Sequence, residues 1–541
     1  MRIEDIYLEP SNPLVRDYLQ FFHKTSKYYS YDPGDEASFS LRAARLKKKD
    51  PMVPKERLAE VIRRFHGEEL RSPEAEENLR RLERADSLVV IGGQQAGLFT
   101  GPLYTLYKAI TLIQLANREE KRLQRPVIPV FWIAGEDHDL EEVNHIHLPR
   151  KTKSVKLSLS LDLKKRVAAG EVAPGSDKLE RWLDRLASML PDTSRKRDLV
   201  EEMRALSQEP GSLSRHFARL MHRLFGCYGL LMIDASYSPL RHLEIPFFEW
   251  LIREARTINE QVWAAARRME EEGYVPQVDM EETKAHFFLR EDGERTALYT
   301  EGEGFRDREG NRRWSKEELL KRLRSCPADF SNNVITRPLM QEFLFPTLAT
   351  VLGHGEIAYW GLLKEAFEYA GMEMPPLFPR TGVTLIGQRE EKLLRRYRLT
   401  LDDVLHRLEA KKNAWLACQY QVNAGELFGQ VRRRLEEIYR PLLGEIGGLR
   451  PDLTRLGEAN WDKVLQEIGW LEKETVKAME EREEADLRRF AELAAALFPG
   501  GSLQERIYNV LPYWNAYGEE WIQRLTETPL LSKETHRVVY L

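Results

Sequence analysis

The chain has 541 residues, which predicts more than one domain, and no apolar run approaches the roughly 18–20 residues that a membrane-spanning helix needs. Its net charge is −4, and its charged residues mix both signs, which gives no electrostatic argument for a nucleic-acid partner. The first ten residues, MRIEDIYLEP, contain acids and no apolar signal segment. We therefore expect a cytoplasmic protein that binds neither membranes nor nucleic acids.

The cysteine content argues against both disulfide bonds and a structural zinc site. Cys227, Cys326 and Cys418 are the only cysteines, and they form no C-x-x-C pair or Cys/His cluster along the chain. Neither a disulfide framework nor a structural zinc site is therefore expected. We predict that all three are buried, reduced thiols.

The first clear elements form a β-α-β unit. The stretch "SLVVIGGQQAG" predicts a short buried strand that ends at Gly92-Gly93, and a helical pattern of apolar residues follows from Leu103. A second strand is predicted from Val127 to Ala134, which implies a right-handed parallel crossover. The run "YGLLMIDAS" predicts a third strand.

Two excursions interrupt this predicted core, so we expect a doubly wound, Rossmann-like α/β fold with connecting insertions and a separate helical domain. The first excursion begins with the alternating, lysine-rich stretch "KTKSVKLSLSLDLKKR". The predicted division is core at 1–150, 216–264 and 331–384, insertions at 151–215 and 265–330, a helical coiled coil at 385–500, and a C-terminal segment at 501–541 that packs back on the body.

The helical domain shows a heptad-like apolar repeat. Gly447-Gly448 and Pro451 are expected to end its first helix, and the apolar seam resumes at Trp461. This pattern indicates either an antiparallel helical hairpin or a coiled coil that dimerises. The repeat consists of Leu427, Val431, Leu435, Ile438, Leu442, Ile446 and Leu449.

Three polar clusters follow predicted strands, where ligands bind in doubly wound sheets. The first matches neither G-x-G-x-x-G nor G-x-x-x-x-G-K-[ST], and it suits either a ligand that approaches the backbone closely or a plain tight turn. Its candidate ligand-binding residues are Gly92, Gly93, Gln94, Gln95, Gly97 and Thr100.

The second cluster, "GEDHDLEEVNH", follows the second predicted strand. A solvated helix start explains Glu141 and Glu142, because acids favour the positive end of the helix dipole. A histidine flanked by carboxylates also suits a general base or a clamp for a substrate amine. A metal site is a further alternative. The candidates are Asp137, His138 and Asp139 for catalysis, Asn144 for ligand binding, and His138, Asp139 and His145 for a metal.

The third cluster is divided between two later strands. His354 stands between two glycines, which predicts a constrained turn and favours a catalytic role for His354 and Glu356. Arg337 suits a carboxylate or phosphate, although an ion pair with an acid of the insertion would explain it equally well. The candidate ligand-binding residues of this cluster are Asp234, Asn333, Arg337 and Tyr359, with Ser236 beside them.

Four stretches in this order resemble the BshC family of bacillithiol biosynthesis: "VVIGGQQAGLFTGPLYTLYKA", "PVFWIAGEDHDLEEVNH", "LGHGEIAYWGLLKEAFE" and "GGSLQERIYNVLPYWNAYG". The resemblance covers essentially the whole chain. It implies a Rossmann-like core, a coiled coil that mediates homodimerisation, and a cytosolic ligase. The implied reaction joins L-cysteine to the amine of glucosaminyl malate.

The resemblance leaves the activation of the carboxylate open. Nucleotidyl-transfer folds typically carry a His-x-Gly-His turn after the first strand, whereas this chain has Gly-Gly-Gln-Gln-Ala-Gly. ATP or ADP therefore remains a candidate cofactor without a committed site. Alternatives are a metabolite-binding scaffold or sensor that dimerises, and a zinc-assisted ligase, although no metal is expected. A second nucleotide site or an interdomain joint is predicted at Ser502, Gln504, Glu505, Arg506 and Asn509.

Overall fold

The core of this computed structural model, which describes residues 1–161, 167–278, 280–420 and 424–541, is a five-stranded parallel sheet. Its strands are β1 (Leu88–Gln94), β2 (Val127–Ile133), β3 (Leu231–Asp234), β4 (Thr347–Leu352) and β5 (Leu377–Pro379). Their order in the sheet is β5-β4-β1-β2-β3, and every neighbouring pair is parallel. The chain moves outward from β1 to β3, then returns to the other side of β1 at β4. This reversal places the topological switch point of a doubly wound sheet between β1 and β4.

The central strands are buried on both faces, as their continuous apolar runs predict. Val89, Val90 and Ile91 have no exposed surface, and all of β2 is buried. The helix Tyr104–Leu123 follows β1 and packs against β1 and β2. The predicted Rossmann-like α/β core is thus confirmed.

Further helices precede the sheet or lie between its strands. Before β1 the helices are Pro13–Gln20, Phe22–Thr25, Glu36–Lys47, Lys55–His66 and Pro73–Leu82. Between later strands they are Leu140–Val143, Leu213–Phe225, Ser238–Glu271, Thr336–Leu344, His354–Trp360 and Lys364–Tyr369.

Two excursions leave the core. The first contains a hairpin of His145–Arg150 and Lys153–Ser158 and the helices Ser176–Met189 and Lys196–Gln208; its residues 162–166 lie outside the described ranges. The second is antiparallel and contains the strands Lys284–Glu291, Glu294–Glu301, Gly304–Arg306, Arg313–Ser315 and Phe330–Asn332 and the helix Lys316–Ser325. The helix Ser238–Glu271 runs past residue 265, where the sequence predicts the second insertion to start, because Ala265, Ala266 and Met269 continue its buried face.

The two ends of the chain meet in a second, smaller sheet. Arg2–Tyr7 pairs antiparallel with Thr535–Tyr540, which pairs parallel with Val383–Ile386. Glu484–Leu497 and Gln504–Ile507 pack against this sheet, and Glu520–Glu527 packs against the core helix Tyr104–Leu123. The other helices of this part of the chain are Gln388–Tyr397, Leu401–His406, Leu408–Gln419 and Leu511–Tyr517.

The predicted coiled coil is a long helical hairpin of Ala424–Leu449 and Pro451–Arg482, two helices that pack antiparallel. Tyr439 stacks on Trp461 with ring centroids 5.0 Å apart, and Arg432 pairs with Glu472. Several apolar side chains of the repeat nevertheless face solvent, namely Leu427, Val431, Ile438, Leu442 and Leu449.

The cysteines differ from the prediction. Cys227, Cys326 and Cys418 are free thiols as expected, but all three are exposed, so the prediction of burial is wrong. Cys227 lies in a turn after the helix Leu213–Phe225, and Cys326 directly follows the helix Lys316–Ser325. Among the described residues, no helix is long and apolar enough to cross a membrane.

Candidate functional site

The site begins where β1 ends, at two glycines that the sheet itself requires. A Cβ atom on Gly92 would lie 2.8 Å from the carbonyl oxygen of Val351, and one on Gly93 would lie 2.6 Å from that of Trp132. Any side chain here would collide with a neighbouring strand. Strand packing therefore explains both glycines without a ligand.

The loop after β1 is held by distant parts of the chain. Phe99 and Thr100 have φ angles of 45° and 75°, which strain residues other than glycine. Asn509 donates hydrogen bonds of 2.7 Å to the carbonyl oxygens of Phe99 and Gly101. Gly97 lies so close to Gly101 that a Cβ would approach its Cα to 2.7 Å. Among the described residues, the buried Thr100 hydroxyl has no hydrogen-bond partner.

A lysine that the sequence did not single out joins β1 to β4. Lys108 lies on the helix Tyr104–Leu123, and its side chain is only 1% exposed. Its ammonium donates to Gly93 O at 2.6 Å, Gln94 Oε1 at 3.3 Å and Glu356 Oε2 at 2.6 Å. Burial lowers the pKa of Lys108, while the Glu356 carboxylate opposes that shift. One signal could have revealed it: a single lysine within the apolar run "LYTLYKAITLIQLA".

Glu356 lies on the helix His354–Trp360, directly after β4. Its Oε2 also accepts the Gly353 N–H at 2.8 Å, and its Oε1 lies 3.9 Å from Arg337 Nη2. Burial opposes ionisation, but Lys108 and Arg337 lower the pKa of Glu356 below its ordinary value. Arg337 also donates to the Tyr359 hydroxyl at 2.7 Å. The sequence left a ligand anion and an acid of the insertion as equal alternatives for the partner of Arg337; the acid that lies within 3.9 Å of it is Glu356.

His354 is the first residue of that helix, so the predicted constrained turn is wrong. Gly353 has an ordinary φ of −76°, and Gly355 lies within the first turn of a regular helix. His354 as a whole residue is exposed. Even so, the protein atoms around it and the Arg380 guanidinium lower the pKa of His354 to about 4. The imidazole is therefore neutral at physiological pH and can accept a hydrogen bond.

A second polar group follows β2. Asp137 Oδ2 accepts from Gln95 Nε2 at 2.7 Å, and the same amide donates to Glu142 at 2.9 Å. Asp137 Oδ1 accepts the Asp139 N–H at 3.3 Å. Burial favours the neutral acid, but the hydrogen bonds from Gln95 and Asp139 lower the pKa of Asp137. The first and second predicted clusters thus meet through Gln95.

The second insertion contributes an arginine to this group. Arg295 Nη1 lies 3.4 Å from His138 Nδ1, and its guanidinium stacks 3.8 Å from the centre of the Phe288 ring. Arg295 also donates to Ser331 at 2.9 Å. Within the ranges that the structure describes, no three His, Cys, Asp or Glu residues are grouped to hold a metal, so His138, Asp139 and His145 form no such site.

Other predicted residues serve the surrounding structure. Asn333 Oδ1 accepts the N–H groups of Ile335 and Thr336 at 2.9 and 3.1 Å, which caps the helix Thr336–Leu344. Asp234 is buried and accepts the Ser236 N–H at 2.8 Å; burial raises the pKa of Asp234. Asn144 lies at the end of the short helix after Asp139, with its Oδ1 3.4 Å from His145 Nδ1.

The C-terminal polar run forms a joint between the core and the helical part. Glu505 binds Arg380 through both oxygens, at 3.1 and 2.6 Å, and Gln504 exchanges two hydrogen bonds with the Leu385 backbone. With Asn509 on the glycine loop, three of the five predicted residues link segments. Arg506 is exposed and Ser502 half-buried beside them.

The family described as bacillithiol biosynthesis BshC matches over residues 1–381 with its N-terminal Rossmann-like domain, and over residues 383–541 with its C-terminal coiled-coil domain. The chain belongs to the BshC family. The predicted family resemblance and coiled-coil domain are thereby confirmed.

Relatives of this family match from end to end. A protein of Bacillus licheniformis is 33% identical over 542 residues, and one of Geobacillus thermodenitrificans is 34% identical over 545, each covering 100% of both chains. One of Heliobacterium modesticaldum is 35% identical over 97% of each chain. All three carry the name "Putative cysteine ligase BshC".

Proposed function

We propose that this protein catalyses the last step of bacillithiol synthesis in the cytoplasm, forming an amide between L-cysteine and the amine of glucosaminyl malate. The names of the full-length relatives support a cysteine ligase. The observation that carries the proposal is the placement of two polar groups, Lys108–Glu356–Arg337 and Gln95–Asp137–Arg295, at the carboxyl edge of one parallel sheet. Ligands of doubly wound sheets bind at this edge.

The two groups suit different parts of the reaction. Asp137, His138 and Asp139 would orient the amine or the sugar hydroxyls and accept a proton during attack. His354 and Glu356 would complete the pocket from β4. Gln94 would donate to a substrate oxygen, Gln95 would hold the Asp137 carboxylate in place, and Arg337 would neutralise a carboxylate. The side chains that would support the pocket wall are Tyr359, Asn144, Asp234 and Asn333.

The carboxylate needs activation, because an oxygen anion is a poor leaving group. The loop after β1 does not fit a conventional phosphate site, since Gly97 and Gly101 donate their N–H groups at 2.9 Å to loop carbonyls and residues 95–102 contain no basic side chain. No step is therefore assigned to ATP. The assay with and without ATP tests whether the reaction requires it.

The decisive experiment incubates the purified protein with L-cysteine and glucosaminyl malate, with and without ATP, and detects bacillithiol by mass spectrometry. Product formation excludes a pure scaffold or sensor. A deletion strain should accumulate glucosaminyl malate and lack bacillithiol. Unchanged bacillithiol in that strain would contradict the proposal.

We also propose that the helical hairpin forms a homodimer. Ile438 is 69% exposed and lies on a face with Leu442 and Leu449, so the hairpin presents apolar surface that a second copy would cover. Ile438→Asp should convert a dimer into a folded monomer in sedimentation experiments. A wild-type monomer, or a variant that stays dimeric, would contradict this assignment.

A further inference from the structure

Arg337 and Glu356 present opposite charges to one space at the switch point between β1 and β4. Arg337 Nη2 lies 3.9 Å from Glu356 Oε1, which is too far for a hydrogen bond. Their side chains are 21% and 23% exposed, so this space opens to solvent although both residues lie at the edge of the core sheet. The two side chains form a loose ion pair, and we call the solvent-accessible space beside this pair the gap.

Each side chain of the pair is held by further groups of the core. Lys108 and the Gly353 N–H hold Glu356 by Oε2, at 2.6 and 2.8 Å, and the Tyr359 hydroxyl accepts from Arg337 Nη2 at 2.7 Å. Within 1–161, 167–278, 280–420 and 424–541, Glu356 Oε1 accepts no hydrogen bond, and the other guanidinium N–H groups of Arg337 donate none. One acceptor of Glu356 and the remaining donors of Arg337 are therefore left for a ligand.

We propose that this gap is the subsite for the zwitterionic head group of an α-amino acid. Glu356 Oε1 would accept from the ammonium, and the Arg337 guanidinium would bind the carboxylate. Only the identity of the amino acid, L-cysteine, rests on the proposed function. The amine of glucosaminyl malate would then bind on the other side of the cleft, beside Asp137.

Lys108 is a positioning residue in this subsite. Its three hydrogen bonds join the end of β1 to Glu356, so the carboxylate is held by one oxygen while the other is presented to the ligand. A guanidinium on the substrate carboxylate also reduces the negative charge that would repel an attacking amine. The subsite thus gives a functional role to the buried ammonium of Lys108.

Three thiol ligands separate the two contacts. In calorimetric titrations of the full-length protein, Glu356→Gln should weaken L-cysteine and cysteamine about 10- to 100-fold, because both contain the ammonium. The same variant should bind 3-mercaptopropionate, which lacks the ammonium, at least as tightly as the wild type does. Arg337→Met should show the opposite selectivity, with 3-mercaptopropionate weakened and cysteamine retained.

Matched controls separate binding from folding. Glu368→Gln makes the same chemical change on an exposed glutamate of the next helix and should alter none of the three affinities. Glu356→Asp keeps the charge, so it tests the contact if Glu356→Gln does not fold. Unchanged cysteine affinity in Glu356→Gln, or an equal loss for all three ligands, would overturn the subsite.

The subsite and the proposed function can fail separately. Cysteine binding with this selectivity but no bacillithiol formation would retain the subsite and reject the ligation. Bacillithiol formation by Glu356→Gln with an unchanged KM for cysteine would reject the subsite alone. A wild-type protein that binds no cysteine would also reject the subsite.

Discussion

The strand β1 and the helix Ala424–Leu449 both contain regularly placed apolar side chains, but these side chains are buried in β1, whereas several of them are exposed in the helix. Val90 and Ile91 have no exposed surface, whereas Ile438 and Leu442 are 69% and 47% exposed. The core closes its apolar surface with other parts of the same chain. The hairpin closes only one side of each helix, so a periodic pattern defines an element but not what covers it.

The same two regions also differ in their charges. At the switch point, Lys108 and Glu356 are paired in a partly desolvated cleft, where removal of water strengthens electrostatic interactions. Many ion pairs of the hairpin, such as Arg440–Glu436, are exposed, and exposed pairs contribute about 0–1 kcal/mol. The strand ends are therefore the region where single charge changes should matter most.

The largest effect is expected at His138. His138→Ala should reduce bacillithiol formation at least about 100-fold, because it removes the proposed proton acceptor, while the urea midpoint of unfolding stays unchanged. His406→Ala, at an exposed histidine of the C-terminal helices, is the matched control and should retain full activity. A wild-type product yield from His138→Ala would contradict this catalytic role. It would also mean that a change at the strand ends affects activity no more than a change in the helical part.

The next effect concerns stability. Ile91→Ala should lower the free energy of unfolding by about 2–5 kcal/mol, because it opens a cavity between β1 and its neighbours. Ile438→Ala should change it by less than about 0.5 kcal/mol in the monomer, since its side chain is already hydrated. Urea denaturation at low protein concentration measures both. Similar losses for both variants would mean that the hairpin face is buried within one chain.

The smallest predicted effect depends on pH. Burial, with a contribution from His222, lowers the pKa of His66 in the core to about 4. The unfolded chain therefore binds more protons than the folded chain between about pH 4 and 6.5, and stability falls as the pH drops through that window. Between pH 7.5 and 5 the wild type should lose about 2 kcal/mol more than His66→Gln. Parallel losses in urea denaturation would contradict this assignment.

Local pattern was sufficient for several elements. The apolar runs before Gly92 and from Val127 predicted two central strands of the sheet, and Pro451 begins the second hairpin helix as the predicted break requires. The position of Asp137 directly after β2 was enough to place it at the carboxyl edge. These features depend on neighbours within a few residues, which the sequence displays directly.

The local sequence pattern did not predict contacts between segments that are far apart in the chain. Arg295 reaches His138 from an insertion 157 residues later, and Lys108 reaches Glu356 across 248 residues. The two glycines after β1 suggested a ligand, but their reason is the approach of carbonyl groups from β2 and β4. His354 between two glycines suggested strain, but helix formation gives both glycines ordinary geometry.

By itself, the sequence determined the family, the α/β and helical parts, and the strand ends at which chemistry would occur, because hydrophobic periodicity and motif order are properties of neighbouring residues. Only the tertiary structure decided that β4 returns beside β1. That return brings Lys108, Glu356 and Arg337 to one gap. Strand order depends on how buried faces from distant parts of the chain pack together. The local spacing of residues does not encode this packing.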